Sequence, residues 1–105
     1  MAGVLHGNSF ASGVITLALT PASVAPNTTA EQLFPVTGLQ VGDFVSINKP
    51  TGQAGLGIVG MRVAGANSLG ITFINATIGA LVPTAAELYL IRYVRLDAVI
   101  NSVRA

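Results

Sequence analysis

Cysteine and tryptophan are absent from this chain, histidine occurs once, and charged side chains are scarce. The first absence removes any disulfide framework and any thiolate metal site, while leaving the compartment open. Proton transfer and nucleophilic attack have little to draw on. The four carboxylates are Glu31, Asp43, Glu87 and Asp97, and no two share a short motif. His6, the single imidazole, stands in a small-residue, glycine-containing segment where a general base would lack a fixed partner, so its default place is a surface or an interface. Nor is there a His/Cys zinc set or a cluster of oxygen ligands for a hard cation. The expectation is a protein without catalytic residues, cofactor or metal.

The basic residues are equally sparse. Lys49, Arg62, Arg92, Arg95 and Arg104 are scattered and the formal net charge is +1, which disfavours broad nucleic-acid binding. Arg92 and Arg95 with Tyr89 and Tyr93 form the one basic and aromatic cluster, better suited to packing or an interface salt bridge than to stacking bases. A membrane span is also disfavoured. The uncharged stretch from Met1 to Ala30 is broken by Asn8, Ser9, Ser12, Pro21, Pro26 and Asn27. VITLAL at 14–19 followed by ASVA at 22–25 imitates a secretory signal, but no Lys or Arg precedes it.

What the chain does contain is apolar side chains. Hydrophobic residues make up 51% and charged residues 9%, against roughly 25% charged in an ordinary soluble domain. One domain fits the 105 residues. A domain of this size leaves about a third of its chain's surface exposed, and here much of that surface must be apolar. Contacts with partners or other subunits are the natural place for it.

Period-two alternation dominates. VITLALT (14–20) sets Ile15, Leu17 and Leu19 on one face. EQLFPVTG (31–38) carries Pro35, which suits an edge or a bulge because proline cannot donate to a ladder. DFVSIN (43–48) follows a turn that Asp43 helps to close. IVGMRVAG and LGITFIN flank GANS as an antiparallel hairpin. AELYLIRYVR (86–95) alternates Leu88, Leu90 and Val94 with Tyr89, Ile91 and Tyr93, and both faces are apolar enough for core on one side and a subunit contact on the other. In the tail, Leu96, Val99, Ile100 and Val103 take the spacing of a short amphipathic helix that needs something to dock on.

The expected fold is all-β, a compact antiparallel β-sandwich or jelly-roll-like domain. It is divided into an N-terminal arm over 1–13, the domain over 14–95 and a helical or extended tail over 96–105. Crossover helices for a parallel sheet are missing.

Residues 55–60 read GLGIVG, a G-x-G-x-x-G pattern that marks dinucleotide sites when a strand precedes it and a helix follows. Here NKPTGQA precedes it, two further glycines follow, and the next carboxylate is Glu87. Gly55 and Gly57 are expected to shape a loop, with Gly60 in or near a strand. Two N-x-T triplets, at Asn27 and Asn75, are glycan acceptors in a eukaryotic secretory setting and turn or strand-end residues otherwise.

Several strings carry a family likeness: V-x-G-L-x-V-G-D over 36–43, the N-K-P loop over 48–50, Q-A-G-L-G-I-V-G over 53–60, A-N-S-L-x-I-T-F-x-N-x-T over 66–77 and the closing Y-x-x-R. Through them, roughly residues 14–95 resemble small structural proteins of tailed bacteriophages, including capsid decoration, or cement, proteins. The resemblance implies a dimer or trimer on the outer capsid surface that fastens major capsid protein subunits, with no nucleic acid, membrane or enzymatic activity. Contacts are expected from the two arms and the last strand: Leu5, His6, Phe10, Tyr89, Ile91, Tyr93, Leu96, Val99, Ile100 and Val103. A tail, baseplate or fibre component is the alternative within the virion, and a secreted bacterial carbohydrate-binding or adhesion sandwich the alternative outside it. With no Trp and two Tyr, few aromatic platforms are available for sugars.

Overall fold

A computed structural model describes residues 10–96. Six strands form in chain order: β1 (Phe10–Leu19), β2 (Thr28–Pro35), β3 (Phe44–Asn48), β4 (Leu56–Gly65), β5 (Ser68–Asn75) and β6 (Glu87–Leu96). They make two antiparallel three-stranded sheets, ordered β1-β6-β3 and β2-β5-β4, and no helix occurs among the described residues. The chain therefore changes sheet at every link except the β4–β5 hairpin.

Alternation explains the burial. In an extended strand successive side chains point to opposite faces, so each strand can give one row to a core and the other to solvent. Leu19 from β1, Phe34 from β2, Val63 from β4, Leu69, Ile71 and Phe73 from β5, and Tyr89 and Ile91 from β6 join one buried cluster. Ile15, Leu17, Val45, Ile47, Leu56 and Ile58 pack against it. Both sheets contribute, so neither is stable alone: each hides its apolar row against the other.

Gly13 is the exception in the core row of β1. It stands opposite Tyr93, and a Cβ built on it would lie 3.0 Å from the tyrosine ring. The missing side chain is the space the ring uses. At the hairpin tip, Asn67 takes a left-handed conformation (φ 60), which asparagine tolerates. It also binds the 36–39 turn: the Val36 N–H donates to Asn67 O (2.9 Å), the Gly38 N–H to Asn67 Oδ1 (2.8 Å), and the Asn67 N–H to Leu39 O (2.8 Å).

Several boundaries differ from the sequence reading. Phe10 to Gly13 belong to β1 rather than to an arm, because each pairs with β6, from Phe10 opposite Leu96 to Gly13 opposite Tyr93. Leu96 likewise closes β6 instead of opening a helix. The second strand sits three residues earlier than 31–38, and Pro35 ends it on an edge strand, where its missing N–H costs no ladder bond. Residues 1–9 and 97–105, including the helical spacing of the tail, lie outside the described residues.

Candidate functional site

The exposed face of the β1-β6-β3 sheet is the most distinctive surface of the molecule. Register fixes its rows: Ser12, Val94 and Phe44 lie side by side, then Val14, Arg92 and Ser46, then Thr16, Leu90 and Asn48, then Ala18 and Leu88. Phe44 is 62% exposed, Val14 61% and Leu88 58%. With Leu90 and Leu96 they present apolar surface on the order of 500 Å², toward the top of what a monomer usually shows in one patch. A shallow depression of ≈ 250 Å³ opens there, lined by Val14, Ser46, Ile47, Asn48, Leu90 and Arg92.

Arg92 is the one charged side chain among these rows, and it forms no ion pair among the described residues. Such a surface can exclude water from a broad contact and offer one guanidinium to an acceptor at its centre. Among the described residues it carries no carboxylate or imidazole.

The residues named from sequence fall into three groups. Tyr89 and Ile91 are fully buried between the sheets, so neither can be a surface contact of the folded chain. Tyr93 shares their face, half-buried over Gly13. The correction is one of parity: β6 does have two apolar faces, but the free one carries Leu88 and Leu90. A signal for this was present. Arg92 shares the parity of Leu88 and Leu90, and an unpaired arginine cannot sit in a core. Leu96 lies at the exposed end of β6, beside Phe10. Leu5, His6, Val99, Ile100 and Val103 lie outside the described residues.

The basic and aromatic cluster is split by the same parity. Arg95 turns away from Arg92 and grips Asp43 with two hydrogen bonds, Nε to Oδ1 (2.9 Å) and Nη2 to Oδ2 (2.8 Å). Arg95 Nη2 also donates to Gly38 O (2.7 Å), and its guanidinium lies 5.4 Å from the Tyr93 ring centroid. Asp43 caps its own turn by accepting the Gln40 N–H (2.9 Å). The Arg95 hydrogen bonds first, then that backbone donor and the arginine charge, hold the Asp43 carboxyl below the usual aspartate range against the opposing effect of burial.

At the opposite end of β6, Lys49 Nζ lies 3.0 Å from Glu87 Oε1 with both side chains nearly buried, and the Thr51 hydroxyl donates to Glu87 Oε2. The Thr51 hydrogen bond, and then Lys49, draw the Glu87 carboxyl below its ordinary range despite desolvation. Tyr89 Oη is buried without a hydrogen-bond partner. Burial, with the Glu87 charge second, pushes the phenol up to about 12. This group ties the N-K-P loop to the start of β6. Its carboxylate is already neutralised and enclosed, which suits a fastening better than a reactive centre.

The glycine pattern is equally structural. Gly55 occupies a turn at φ 79, and a Cβ there would collide with the Thr77 methyl, while Gly57 and Gly60 lie within β4. No helix follows to receive a pyrophosphate. Asn75 is fully buried, with its Nδ2 donating to Val24 O (3.0 Å) and Gly79 O (2.8 Å), and its Oδ1 accepting from Thr77 N (2.9 Å) and Oγ1 (2.7 Å). An amide so used is closed to a glycan in the folded chain. No three His, Cys, Asp or Glu residues converge on a metal position among the described residues.

Comparison of the chain with protein-family models, curated proteins and solved structures finds no match.

Proposed function

We propose that this chain is a structural protein of a tailed-bacteriophage virion, of the capsid decoration type, built as a small β-sandwich. In this reading it binds the outer surface of the assembled head and bridges major capsid protein subunits. The observation that carries the reading is the exposed β1-β6-β3 face: a broad apolar surface whose one charge, Arg92, forms no ion pair among the described residues, on a chain too poor in charge to solvate it. That face, rather than Tyr89 and Ile91, is the shell contact, with Phe44, Val14, Leu88 and Leu90 as anchors and Arg92 at their centre. Phe10 and Leu96 are paired neighbours, so both ends of the described residues lie at one end of the domain.

Cementing would follow from mass action. A protein that binds the assembled shell and not its free subunits lowers the free energy of the shell by an amount that grows with occupancy. Repetition over many symmetry-related positions makes a modest contact sufficient. No catalytic step is part of the role.

The test is electron cryomicroscopy of the intact particle. Copies of this chain at symmetry positions on the head, with the β1-β6-β3 face toward the shell, are the expected result. Density confined to the tail would assign it to the tail, baseplate or fibre instead. Absence from the particle, together with binding on a glycan array, would leave the secreted sandwich.

A further inference from the structure

The two sheets have four edge strands, and three are blunted by the usual devices. β2 carries Glu31 and ends in Pro35. β4 is broken by register shifts at Ile58/Gly60 and Val63/Gly65 and carries Arg62. β3 has only five residues.

β1 has none of these. It is FASGVITLAL, ten residues without a charge or a proline, and its ladder with β6 runs from Phe10↔Leu96 to Leu19↔Glu87 without a shift. Among the described residues, no backbone group outside β6 bonds to it. An edge this long and regular presents a row of unpaired N–H and C=O groups ready to template another strand.

We propose that β1 pairs antiparallel with β1 of a second copy of this chain, across a two-fold axis normal to the sheet. The product is one six-stranded sheet in the order β3-β6-β1-β1-β6-β3. Three features favour a second copy over a foreign strand. An uncharged strand can face itself without setting like charges opposite one another. The two-fold pairs residues of the same parity, so Ser12, Val14, Thr16 and Ala18 of both copies stay on the exposed face while Ile15, Leu17 and Leu19 stay on the core side. Up to nine paired residues make about eight to ten interchain hydrogen bonds, close to the number found in a typical specific interface. The pairing also sets the two apolar faces side by side as one continuous surface. It stands on the edges of the sheets and not on the virion reading.

The absence of cysteine makes the test clean. Purified full chain is first sized by light scattering and sedimentation across micromolar to high micromolar concentration, and a dimer of the 10.7 kDa chain is expected. Single cysteines are then placed at Ser12, Val14, Thr16 or Ala18, with Val59→Cys on the exposed side of β4 as control. Opposed Cα atoms about 4.5–5.5 Å apart fall within disulfide reach. If the axis passes through an even residue, that one variant should oxidise to a linked dimer; if it passes through an odd residue, an equimolar mixture of two neighbouring variants, such as Val14→Cys with Thr16→Cys, should link instead, and Val59→Cys should link in neither case. A Val14→Lys/Thr16→Lys variant that keeps its circular dichroism should dissociate at least tenfold more readily.

A chain that stays monomeric throughout overturns the proposal, as does a dimer in which none of the four variants links, alone or mixed with its neighbour, or one that ignores the lysine pair. Should the lysine variant fail to fold, the cysteine series still decides. A monomer that decorates heads sinks this pairing alone. A β1-linked dimer absent from virions sinks the functional reading alone.

Discussion

On the exposed face of the β2-β5-β4 sheet, Arg62 grips Glu31 through Nε (2.7 Å) and Nη2 (3.0 Å) beside Gly70, with Thr29 and Thr72 nearby. Leu33 and Val59 are exposed there, with Ile74 half-buried on the same face. Among the described residues, the corresponding face of the β1-β6-β3 sheet has no carboxylate and its one arginine forms no ion pair, and its large apolar residues occupy consecutive rows. One face is polar and ion-paired, the other apolar. The two sheets share a core, yet their outer surfaces are made for different neighbours, and most of the chain's few charges are spent on the wet face and at the ends of β6.

The largest effect should come from reversing the dry face. Leu88→Glu/Leu90→Glu is expected to weaken shell occupancy by at least about 100-fold, as loss of central anchors does. Both residues lie outside the core, so the melting temperature should move by no more than about 4 °C. The matched pair Leu33→Glu/Val59→Glu should change neither. Occupancy measured by particle mass or gel densitometry decides; equal losses for both pairs would end the distinction between the faces.

Acid should act next. Glu31, Asp43 and Glu87 are all held below their ordinary ranges, by Arg62, by Arg95 and by Thr51 with Lys49 respectively. A lowered folded-state pKa means that the unfolded chain binds more protons as pH falls, so the stabilisation is fully present above the unfolded range near 3.9–4.3 and is lost below it. Thermal melts should be flat from about pH 6 down to pH 5 and decline toward pH 3. None of these carboxylates lies on the dry face. Occupancy and folded fraction should therefore fall together; occupancy that fails while the chain is still folded would place a titrating group in the contact.

How far this contrast was legible in the sequence depends on the strand. Alternation in VITLAL and in LYLIRYV was enough for an all-β chain, for six strands and for the hairpin around Asn67. It was also enough to separate Leu88 and Leu90 from Tyr89 and Ile91. Period two sorts residues into two sets without saying which set is inside, and large aromatic residues suggest an interface as readily as a core. Arg92 breaks the tie. Register is the harder part: nothing local sets Glu31 beside Arg62, Asp43 beside Arg95 or Lys49 beside Glu87, since each pair is joined by packing of strands distant in sequence. The start of β1 was hidden because Ala11, Ser12 and Gly13 are poor strand formers, held in place by their pairing with β6.

Two glycines sharpen the contrast at a smaller scale. Gly13 faces the core, where a Cβ would press on the Tyr93 ring. Gly13→Ala should destabilise by about 1–3 kcal/mol, the usual cost of overpacking. Gly70 faces outward, and a Cβ would lie 2.5 Å from Glu31 Oε2. A carboxylate at the end of a flexible chain can swing aside where a ring cannot. Gly70→Ala should therefore cost less, while moving the Glu31 carboxyl back toward its ordinary value near 4.3, readable by NMR titration.

Arg62→Ala should give the smallest change of all. The Arg62 side chain is 63% exposed and that of Glu31 33%. Water already solvates much of both charges, and holding two long side chains in one geometry offsets most of the attraction. A fall in melting temperature of about 1–2 °C is expected at low salt. It should disappear near 1 M salt, where the screening length is about 3 Å. Shell occupancy should be unchanged, because the pair lies on the face opposite the proposed contact. A loss that survived high salt would show that Arg62 holds the sheet by packing its aliphatic stem, and a loss of occupancy would turn the wet face into a second contact surface.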